Sequence, residues 1–247
     1  MIVIPMLGRS SRFFNVGYDK PKYELPLGNE TVFSSSVRSF HKYFNYQPFL
    51  FIVRSDFNAI SFVNREVNRL GIKDYRIIEI DKETSGQAES VILGIKDYDE
   101  SQSILIFNID TIRHDFDWPS KELFSDGFIE VFKADGNGWS FVKAKNNHEV
   151  LMTAEKIRIS NLCSNGIYGF LHISDFKSAY NKFVSDPFNA GRETYIAPLF
   201  NYLIDKGKSV NFRLIDSGLI DHCGLPVDYE MLQKKYRITS TIEIVKI

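Results

Sequence analysis

Cysteine is scarce in this chain, and its scarcity excludes two kinds of architecture. Only Cys163 and Cys223 occur among the 247 residues. Two thiols cannot form a disulfide framework, and they cannot by themselves supply the four ligands of a structural zinc site. We therefore expect both to be small buried side chains in a protein of a reducing compartment.

An excess of charge of either sign is also lacking. Thirty Lys and Arg residues stand against 31 Asp and Glu residues, which leaves a formal net charge of −1. A dedicated binder of nucleic acid or of an anionic membrane would carry a basic excess, so we expect neither as a partner. A small anionic ligand is compatible with this balance, because a few well-placed cations suffice to bind it.

Long hydrophobic runs are missing as well. No apolar stretch of the sequence approaches the ~20 residues that cross a bilayer. The apolar segment Met1–Leu7 has no basic region before it and ends at Gly8 and Arg9, which is not the pattern of a signal peptide. We therefore expect a cytoplasmic protein.

The chain contains neither a Gly/Ser/Pro-rich linker nor an internal repeat. Its 247 residues are 44% hydrophobic and 25% charged, as in globular proteins, so a single domain over residues 1–247 is expected and overall disorder is excluded. Aromatic residues are plentiful, with 21 Phe and 12 Tyr. They indicate a core in which Phe replaces Leu, although a face for a second subunit is an alternative that leaves a homo-oligomer open.

The first half alternates short apolar runs with helical spacing. The runs predict strands over 2–4, 49–53, 77–80 and 104–107, and the spacing between them predicts helices over 33–44, 60–70 and 88–95. Apolar strands that alternate with helices are typical of a parallel sheet covered on both faces. Ligands of such sheets bind beyond the carboxyl ends of the strands.

The second half has a different pattern. Strands are predicted over 128–132, 139–144, 149–152, 167–171 and 210–215, with helices over 175–183, around 195–204 and at the end of the chain. We therefore predict an α/β fold with a Rossmann-like, mostly parallel sheet covered by helices and a smaller mixed β-sheet added in the second half. The change of pattern divides the chain near residue 127 into two halves, residues 1–127 and residues 128–247.

The strongest chemical signal lies just after the first strand. A loop rich in Gly and Ser carries Arg12, and Lys22 follows in a Lys-Pro-Lys segment. Exposed backbone N–H groups and two cations are typical of a polyphosphate site. The loop is neither a P-loop nor a dinucleotide fingerprint, because G-x-x-x-x-G-K-[ST] and G-x-G-x-x-G are both missing.

This segment resembles the sugar-phosphate nucleotidylyltransferases, in which a first strand is followed by G-x-G-[ST]-R and then by K-P-K. The residues that match are Gly8, Ser11, Arg12, Lys20, Pro21 and Lys22. Ser10 departs from the family because it replaces the second glycine, which implies a different path of the loop. The form I-P-M-x-G-x-x-S-R-F is similar to that of enzymes for capsule and surface-polysaccharide biosynthesis.

Further matches follow in the order of the family. The segment 84–88 resembles its nucleotide-base loop, and Asn108-Ile109-Asp110 resembles its strand end with a metal-binding Asp. Glu155-Lys156 is similar to the pair that holds the sugar phosphate, Gly166 to the glycine of the adjacent strand, and 224–229 to a G-T-P-E-D turn.

The resemblance implies transfer of a nucleotide from a nucleoside triphosphate to a small phosphorylated substrate, with Mg²⁺ as the cofactor. It also implies that residues 1–127 are the nucleotide-binding half and that residues 128–247 bind the sugar or other substrate phosphate. The implied catalytic residues are Arg12, Lys22 and Asp110, and Glu155, Lys156 and Gly166 would bind the substrate. The implied nucleotide-binding residues are Leu7, Gly8, Ser10, Ser11, Arg12, Lys22, Ser85 and Gly86.

The second metal ligand is where the sequence departs from the family again. His222 stands where the family has an Asp, and Asp221 precedes it. The two side chains point to opposite faces of a strand. Because Mg²⁺ prefers carboxylate oxygen, we take Asp110 and Asp221 as the metal ligands, with His222 as the alternative.

Two other functions fit parts of the sequence. In a glycosyltransferase of the GT-A type, the segment 108–110 would be a variant D-x-D metal motif, but such an enzyme has no need of a triphosphate-binding loop. A non-catalytic nucleotide-binding relative is the second alternative, and Ser10 and His222 are the residues that favour it.

Overall fold

The computed structural model describes residues 1–245, and the side chains of residues 1–237. Its strands are β1 (Ile2–Pro5), β2 (Pro26–Leu27), β3 (Glu30–Thr31), β4 (Phe49–Arg54), β5 (Tyr75–Ile80), β6 (Ile104–Phe107), β7 (Thr111–Arg113), β8 (Gly127–Lys133), β9 (Ser140–Ala144), β10 (Val150–Glu155), β11 (Leu162–Phe170), β12 (Val210–Leu214) and β13 (Ile220–His222).

The helices lie between these strands and after the last one. They are α1 (Ser11–Phe14), α2 (Val32–Val37), α3 (Ala59–Leu70), α4 (Gln87–Gly94), α5 (Lys121–Phe124), α6 (Ile173–Ser185), α7 (Leu199–Ile204) and α8 (Pro226–Val245). No helix among the described residues has the length and apolar character needed to cross a membrane.

A nine-stranded sheet is the framework of the fold, with the main strand order β10-β9-β11-β6-β1-β4-β5. Strand β1 pairs in parallel with both β4 and β6, and β4 pairs in parallel with β5. Strand β11 then pairs antiparallel with β6, β8 and β9, while β12 pairs in parallel with β8. The predicted α/β fold class is confirmed.

The strands added by the second half continue this same sheet, because β11 lies directly beside β6. The separate sheets are short two-stranded ones, β2 with β3 and β7 with β13. The division into two functional halves near residue 127 stays a prediction.

The apolar core lies on both faces of the sheet. Within β1, Val3 packs into one hydrophobic cluster while Ile2 and Ile4 pack into another on the opposite face. Because both faces are buried, every residue of β1 must be apolar, which explains the continuous run in the sequence. All the phenylalanines except Phe14, Phe57 and Phe188 are buried, as the predicted Phe-rich core requires.

Two predicted helices are shorter in the structure. The helix predicted over 33–44 is α2 followed by a 3₁₀ segment, Arg38–Tyr43, in which Phe40 has non-helical backbone angles. The helix predicted around 195–204 begins only at Leu199, after Pro198. A proline disfavours helical geometry in the residue before it, which explains why the helix does not extend back beyond Pro198.

A buried ionic cluster joins the second-half strands to the turn that carries Asp110. Glu130 of β8 is fully buried and accepts hydrogen bonds from Arg113 at 2.6 Å, from Arg213 at 2.6 and 2.8 Å, and from Asn165 at 2.7 Å. The cluster thereby connects β7, β8, β11 and β12, and it fixes β7 close behind the end of β6.

Replacing Glu130 should destabilise the whole fold. Glu130→Gln leaves two arginines without their carboxylate, which should lower the free energy of unfolding by about 3–5 kcal/mol. Urea denaturation measures this loss, with Glu149→Gln as the matched control. Glu149 bonds to exposed Lys145 at 2.8 Å, and loss of that pair should cost at most about 1 kcal/mol. Equal losses in the two variants would contradict the assignment.

Candidate active site

A cleft of about 460 Å³ opens beyond the carboxyl ends of β1 and β6. Because these strands are parallel neighbours, the loop after β1 and the turn after β6 meet at one edge of the sheet. The volume is within the range of small-molecule sites. Among the predicted site residues, those that line the cleft are Leu7, Gly8, Lys22, Gly86 and Asp110.

The loop after β1 adopts a conformation that glycine favours, although a serine occupies the position. Ser10 has a φ of 53°, in the left-handed region. Its hydroxyl oxygen accepts a hydrogen bond from the backbone N–H of Lys22 at 3.0 Å. The departure from the family motif therefore preserves a glycine-like backbone and adds a link between the loop and the Lys-Pro-Lys segment.

Lys22 and Asp110 form an ion pair in the wall of the cleft. Lys22 Nζ lies 2.5 Å from Asp110 Oδ2, and the two side chains are 20% and 22% exposed. Burial by itself would raise the pKa of Asp110, but the ammonium of Lys22 outweighs burial and holds that pKa below its ordinary value. At neutral pH the cleft thus contains an ammonium and an ionised carboxylate in contact.

The predicted base loop meets two other segments beside the cleft. Gln87, the first residue of α4, donates a hydrogen bond to Asn108 Oδ1 at 2.5 Å. Gly166 of β11 has a φ of +91°, and a Cβ there would lie 2.5 Å from Asn108 Nδ2. Gly166 is therefore required for the close approach of β11 to the turn that carries Asp110.

The predicted substrate pair, Glu155 and Lys156, does not line the cleft, and its two side chains do not hydrogen-bond to each other. Glu155 accepts a hydrogen bond from the hydroxyl of Ser140, and its burial raises its pKa above the ordinary value. Lys156 instead donates a hydrogen bond to the hydroxyl of Tyr195. The orientation of Lys156 thus comes from Tyr195.

Strand β13 turns Asp221 and His222 toward different neighbours. The carboxylate of Asp221 bonds to His114 at 2.8 Å and to Lys235 at 2.7 and 3.0 Å. The ring of His222 packs 5.0 Å from that of Trp139, and burial holds the pKa of His222 below its ordinary value while the charge of Asp110 opposes that shift. Asp221 as a metal ligand stays a prediction, and its carboxylate already has two partners.

The structure leaves Ser11 and Arg12 exposed on α1, outside the lining of the cleft. Burial and the carboxylate of Glu193 raise the pKa of Tyr195, and the positive charge of Arg12 opposes that shift. Ser85 lies at the rim, where its hydroxyl is within 3.1 Å of that of Thr194.

The cleft is also lined by charged residues that the sequence analysis did not single out, among them Arg9, Arg54 and Glu193. Arg9 forms an ion pair with Glu83 at the rim, and Arg54 pairs with Asp56 at 2.9 Å. Arg54 is the last residue of β4, so the rule that ligands bind at carboxyl ends of parallel strands could have found it. Glu193 belongs to no recognisable motif, and only the tertiary structure brings it to the cleft.

Comparison with solved structures identifies the family. The fold superposes with a TM-score of 0.91 on the nucleoside-diphosphate-sugar pyrophosphorylase from Vibrio cholerae RC9, which is 44% identical, and the match covers 95% of this chain and 100% of that one. The chain belongs to the nucleotide-sugar pyrophosphorylases. The members of this family are nucleotidyltransferases, and the expected family resemblance is confirmed at that level.

More distant solved structures share the fold. The inositol-1-phosphate CTP transferase from T. maritima is 18% identical with a TM-score of 0.73, over 96% of this chain and 95% of that one. A UTP-bound UGPase from Acinetobacter baumannii is 15% identical with a TM-score of 0.71, over 95% and 92%. A scan against protein-family models and a search of curated proteins each find no match.

The left-handed backbone of Ser10 leads to a stability prediction. Ser10→Ala loses the hydrogen bond to Lys22 but keeps the unfavourable φ, whereas Ser10→Gly loses the same bond and relieves the backbone. The glycine variant should therefore have the higher free energy of unfolding, by about 1 kcal/mol. Urea denaturation of the two variants measures the difference. A more stable alanine variant would mean that the loop does not hold this conformation in solution.

Proposed function

We propose that this protein transfers a nucleoside monophosphate from a nucleoside triphosphate to a sugar 1-phosphate or another small phosphorylated metabolite and releases pyrophosphate. The Lys22–Asp110 pair carries the proposal, because it places a cation and a carboxylate at the cleft beyond β1 and β6. Membership of the pyrophosphorylase family supports the same reaction. We further propose a cytoplasmic role in capsule or surface-polysaccharide biosynthesis, on the form of the loop after β1.

The reaction requires no nucleophile from the protein. A phosphate oxygen of the second substrate would attack the α-phosphorus, and the bond from that phosphorus to the pyrophosphate oxygen would break. The difficulty is to bring two anions together and to stabilise the charge that develops on the leaving pyrophosphate.

The cations of the chain would divide this task. Arg12 and the backbone N–H groups of the loop around Gly8 and Ser10 would bind the β- and γ-phosphates, and Lys22 would contact the α-phosphate. The space around Gly8 supports this phosphate-binding role of the loop, because a Cβ built on Gly8 would have no atom within 4 Å. Lys156 would hold the phosphate of the second substrate.

The donor groups fit a magnesium ion that is shared with the nucleotide. Asp110 offers a carboxylate oxygen at the cleft, and Mg²⁺ in nucleotide enzymes is bound by one or two carboxylates together with phosphate oxygens and water. Asp110 would therefore hold the ion, and Asp221 would join it only by giving up His114 or Lys235. When bound, Mg²⁺ would neutralise charge on the reacting phosphates.

The structure of the loop bears on the non-catalytic alternative. Ser10, which favoured that alternative in the sequence, keeps the backbone conformation that a glycine would adopt. Pyrophosphate release distinguishes the proposed reaction from the glycosyltransferase alternative, because a glycosyltransferase would release no pyrophosphate from a nucleoside triphosphate.

A screen for pyrophosphate release tests the proposal. CTP, UTP, GTP, dTTP and ATP are each combined with a panel of phosphate monoesters that includes hexose 1-phosphates, a heptose 1-phosphate and phosphocholine. Release with at least one pair, dependent on both substrates, is the expected result. Binding of a triphosphate by calorimetry without release from any pair would favour the non-catalytic relative.

Loss of the Lys22 ammonium should lower turnover strongly. Lys22→Met keeps much of the aliphatic chain but removes the cation next to Asp110, so kcat should fall by roughly 10²–10³-fold. Steady-state pyrophosphate release measures it. Lys145→Met removes an exposed cation that pairs only locally with Glu149, and it should leave kcat unchanged. A Lys22→Met enzyme within a few-fold of the wild type would remove Lys22 from the mechanism.

Replacing Asp110 should change the metal requirement. Asp110→Asn removes the charge that would hold the ion, so the Mg²⁺ concentration for half-maximal activity should rise by about tenfold or more, the effect of losing one charged ligand. Activity is measured as a function of Mg²⁺ concentration, with Asp97→Asn on an exposed loop as the control. An unchanged Mg²⁺ dependence would rule out Asp110 as the ligand.

A further inference from the structure

The tripeptide Glu193-Thr194-Tyr195 connects the two halves of the proposed site, although no sequence motif marks it. The middle residue, Thr194, is buried and its backbone pairs with the base loop. Its N–H donates to the carbonyl oxygen of Ser85 at 2.9 Å, and its carbonyl oxygen accepts from the N–H of Ala88 at 2.8 Å. The tripeptide is thus attached to the loop on both sides of Gly86.

Gly86 shows how closely this attachment is built. A Cβ at Gly86, whose φ is +153°, would lie 2.6 Å from the backbone N and O of Thr194. No side chain fits between the two backbones, which explains why glycine occupies this position. The position of the base loop therefore depends on where the tripeptide lies.

The outer residues of the tripeptide, Glu193 and Tyr195, contact the ammonium of Lys156. Lys156 donates a hydrogen bond to the hydroxyl of Tyr195, which in turn donates to the carboxylate of Glu193. Lys156 Nζ is also 4.0 Å from Glu193 Oε2. The hydroxyl of Tyr195 thus lies between an ammonium and a carboxylate, and hydrogen bonds to charged groups are the stronger ones.

The ring of Tyr195 also contacts Lys156, whose Nζ atom lies 4.4 Å from the ring centroid. The backbone of Lys156 has a φ of 56°, its N–H donates to the carbonyl oxygen of Trp139 at 2.9 Å, and its side chain is 53% exposed. Glu155, the neighbour in sequence, bonds to Ser140 instead. Glu193 lines the cleft that contains Lys22 and Asp110, so the chain from Lys156 through Tyr195 ends at the nucleotide cleft.

We propose that Tyr195 is a positioning residue for the phosphate of the second substrate, and that its tripeptide links this phosphate site to the base loop. This inference rests on the proposed function, in which Lys156 binds that phosphate. Tyr195 acts through Lys156 and need not touch the substrate. Thr194 acts on the other side, through Ser85 and Gly86.

Two conservative variants separate these roles. Tyr195→Phe removes the hydroxyl that holds Lys156, so the KM for the phosphate monoester should rise about tenfold, the usual effect of losing a hydrogen bond to a charged group, with the KM for the triphosphate unchanged. Thr194→Val removes the hydroxyl that contacts Ser85, so it should raise mainly the KM for the triphosphate. The substrates are the pair that releases most pyrophosphate in the screen above.

Tyr202→Phe is the matched control. The hydroxyl of Tyr202 bonds to Asn189 and Asp186 at the far end of the same loop and should leave both KM values unchanged. An unchanged KM for the monoester in Tyr195→Phe, or an equal rise of both KM values with a lowered Tm, would overturn the proposal. The second outcome would mean that Tyr195 only supports the fold.

A structural readout makes the test independent of turnover. In crystal structures of the wild type and of Tyr195→Phe, the ammonium of Lys156 should leave its position beside Glu193 in the variant only. A Lys156 that keeps its position would overturn the role of Tyr195 even if the enzyme is active. If the wild type releases no pyrophosphate with any pair, the proposed function fails, while this comparison still decides whether Tyr195 positions Lys156.

Discussion

The site depends on one contact, the ion pair between Lys22 and Asp110. The residues come from segments 88 positions apart, and the parallel pairing of β1 with β6 brings the two loops together. A further hydrogen bond holds the backbone of each partner. The N–H of Lys22 donates to the hydroxyl oxygen of Ser10, and the N–H of Cys223 donates to the carbonyl oxygen of Asp110 at 2.8 Å. A pair that is partly exposed contributes little to stability, so its importance is that it holds two opposite charges at the cleft.

The sequence analysis succeeds where a local pattern has a single structural solution. Continuous apolar runs such as β1 and β6 are buried on both faces. In the loop after β1, Leu7 and Gly8 line the cleft whereas Ser10, Ser11 and Arg12 do not, so the role of this loop as a phosphate site stays a prediction. Prediction from the sequence fails where partners distant in the chain decide the outcome. The alternation of side chains along a strand predicts that Asp221 and His222 point to opposite faces. It does not predict which of the two faces the cleft, because that depends on the positions of His114 and Lys235. Likewise, no local pattern marks Tyr195 and Glu193 as site residues. Tyr195 lies before α7, although the sequence predicts a helix around 195–204.

The buried cluster around Glu130 supports the turn that carries Asp110. The fully buried carboxylate of Glu130 ties Arg113 of β7 to Asn165, which precedes Gly166 on β11. Gly166 in turn packs against Asn108, two residues before Asp110. The turn that carries Asp110 is therefore held between β7 and β11. Displacing the cluster would move the carboxylate as well as weaken the fold, since a buried charge tolerates few alternative arrangements.

Four of the cations at the proposed site already lie beside carboxylates. Lys22 pairs with Asp110, Arg9 with Glu83, Arg54 with Asp56, and Lys156 lies near Glu193. An anion that enters gains the full attraction of these four cations only if the carboxylates acquire another counter-ion. A triphosphate that brings its own divalent cation satisfies this condition, and a bare phosphate monoester does not. If the proposed function holds, this pairing makes the metal-bound triphosphate the better first ligand of the free enzyme.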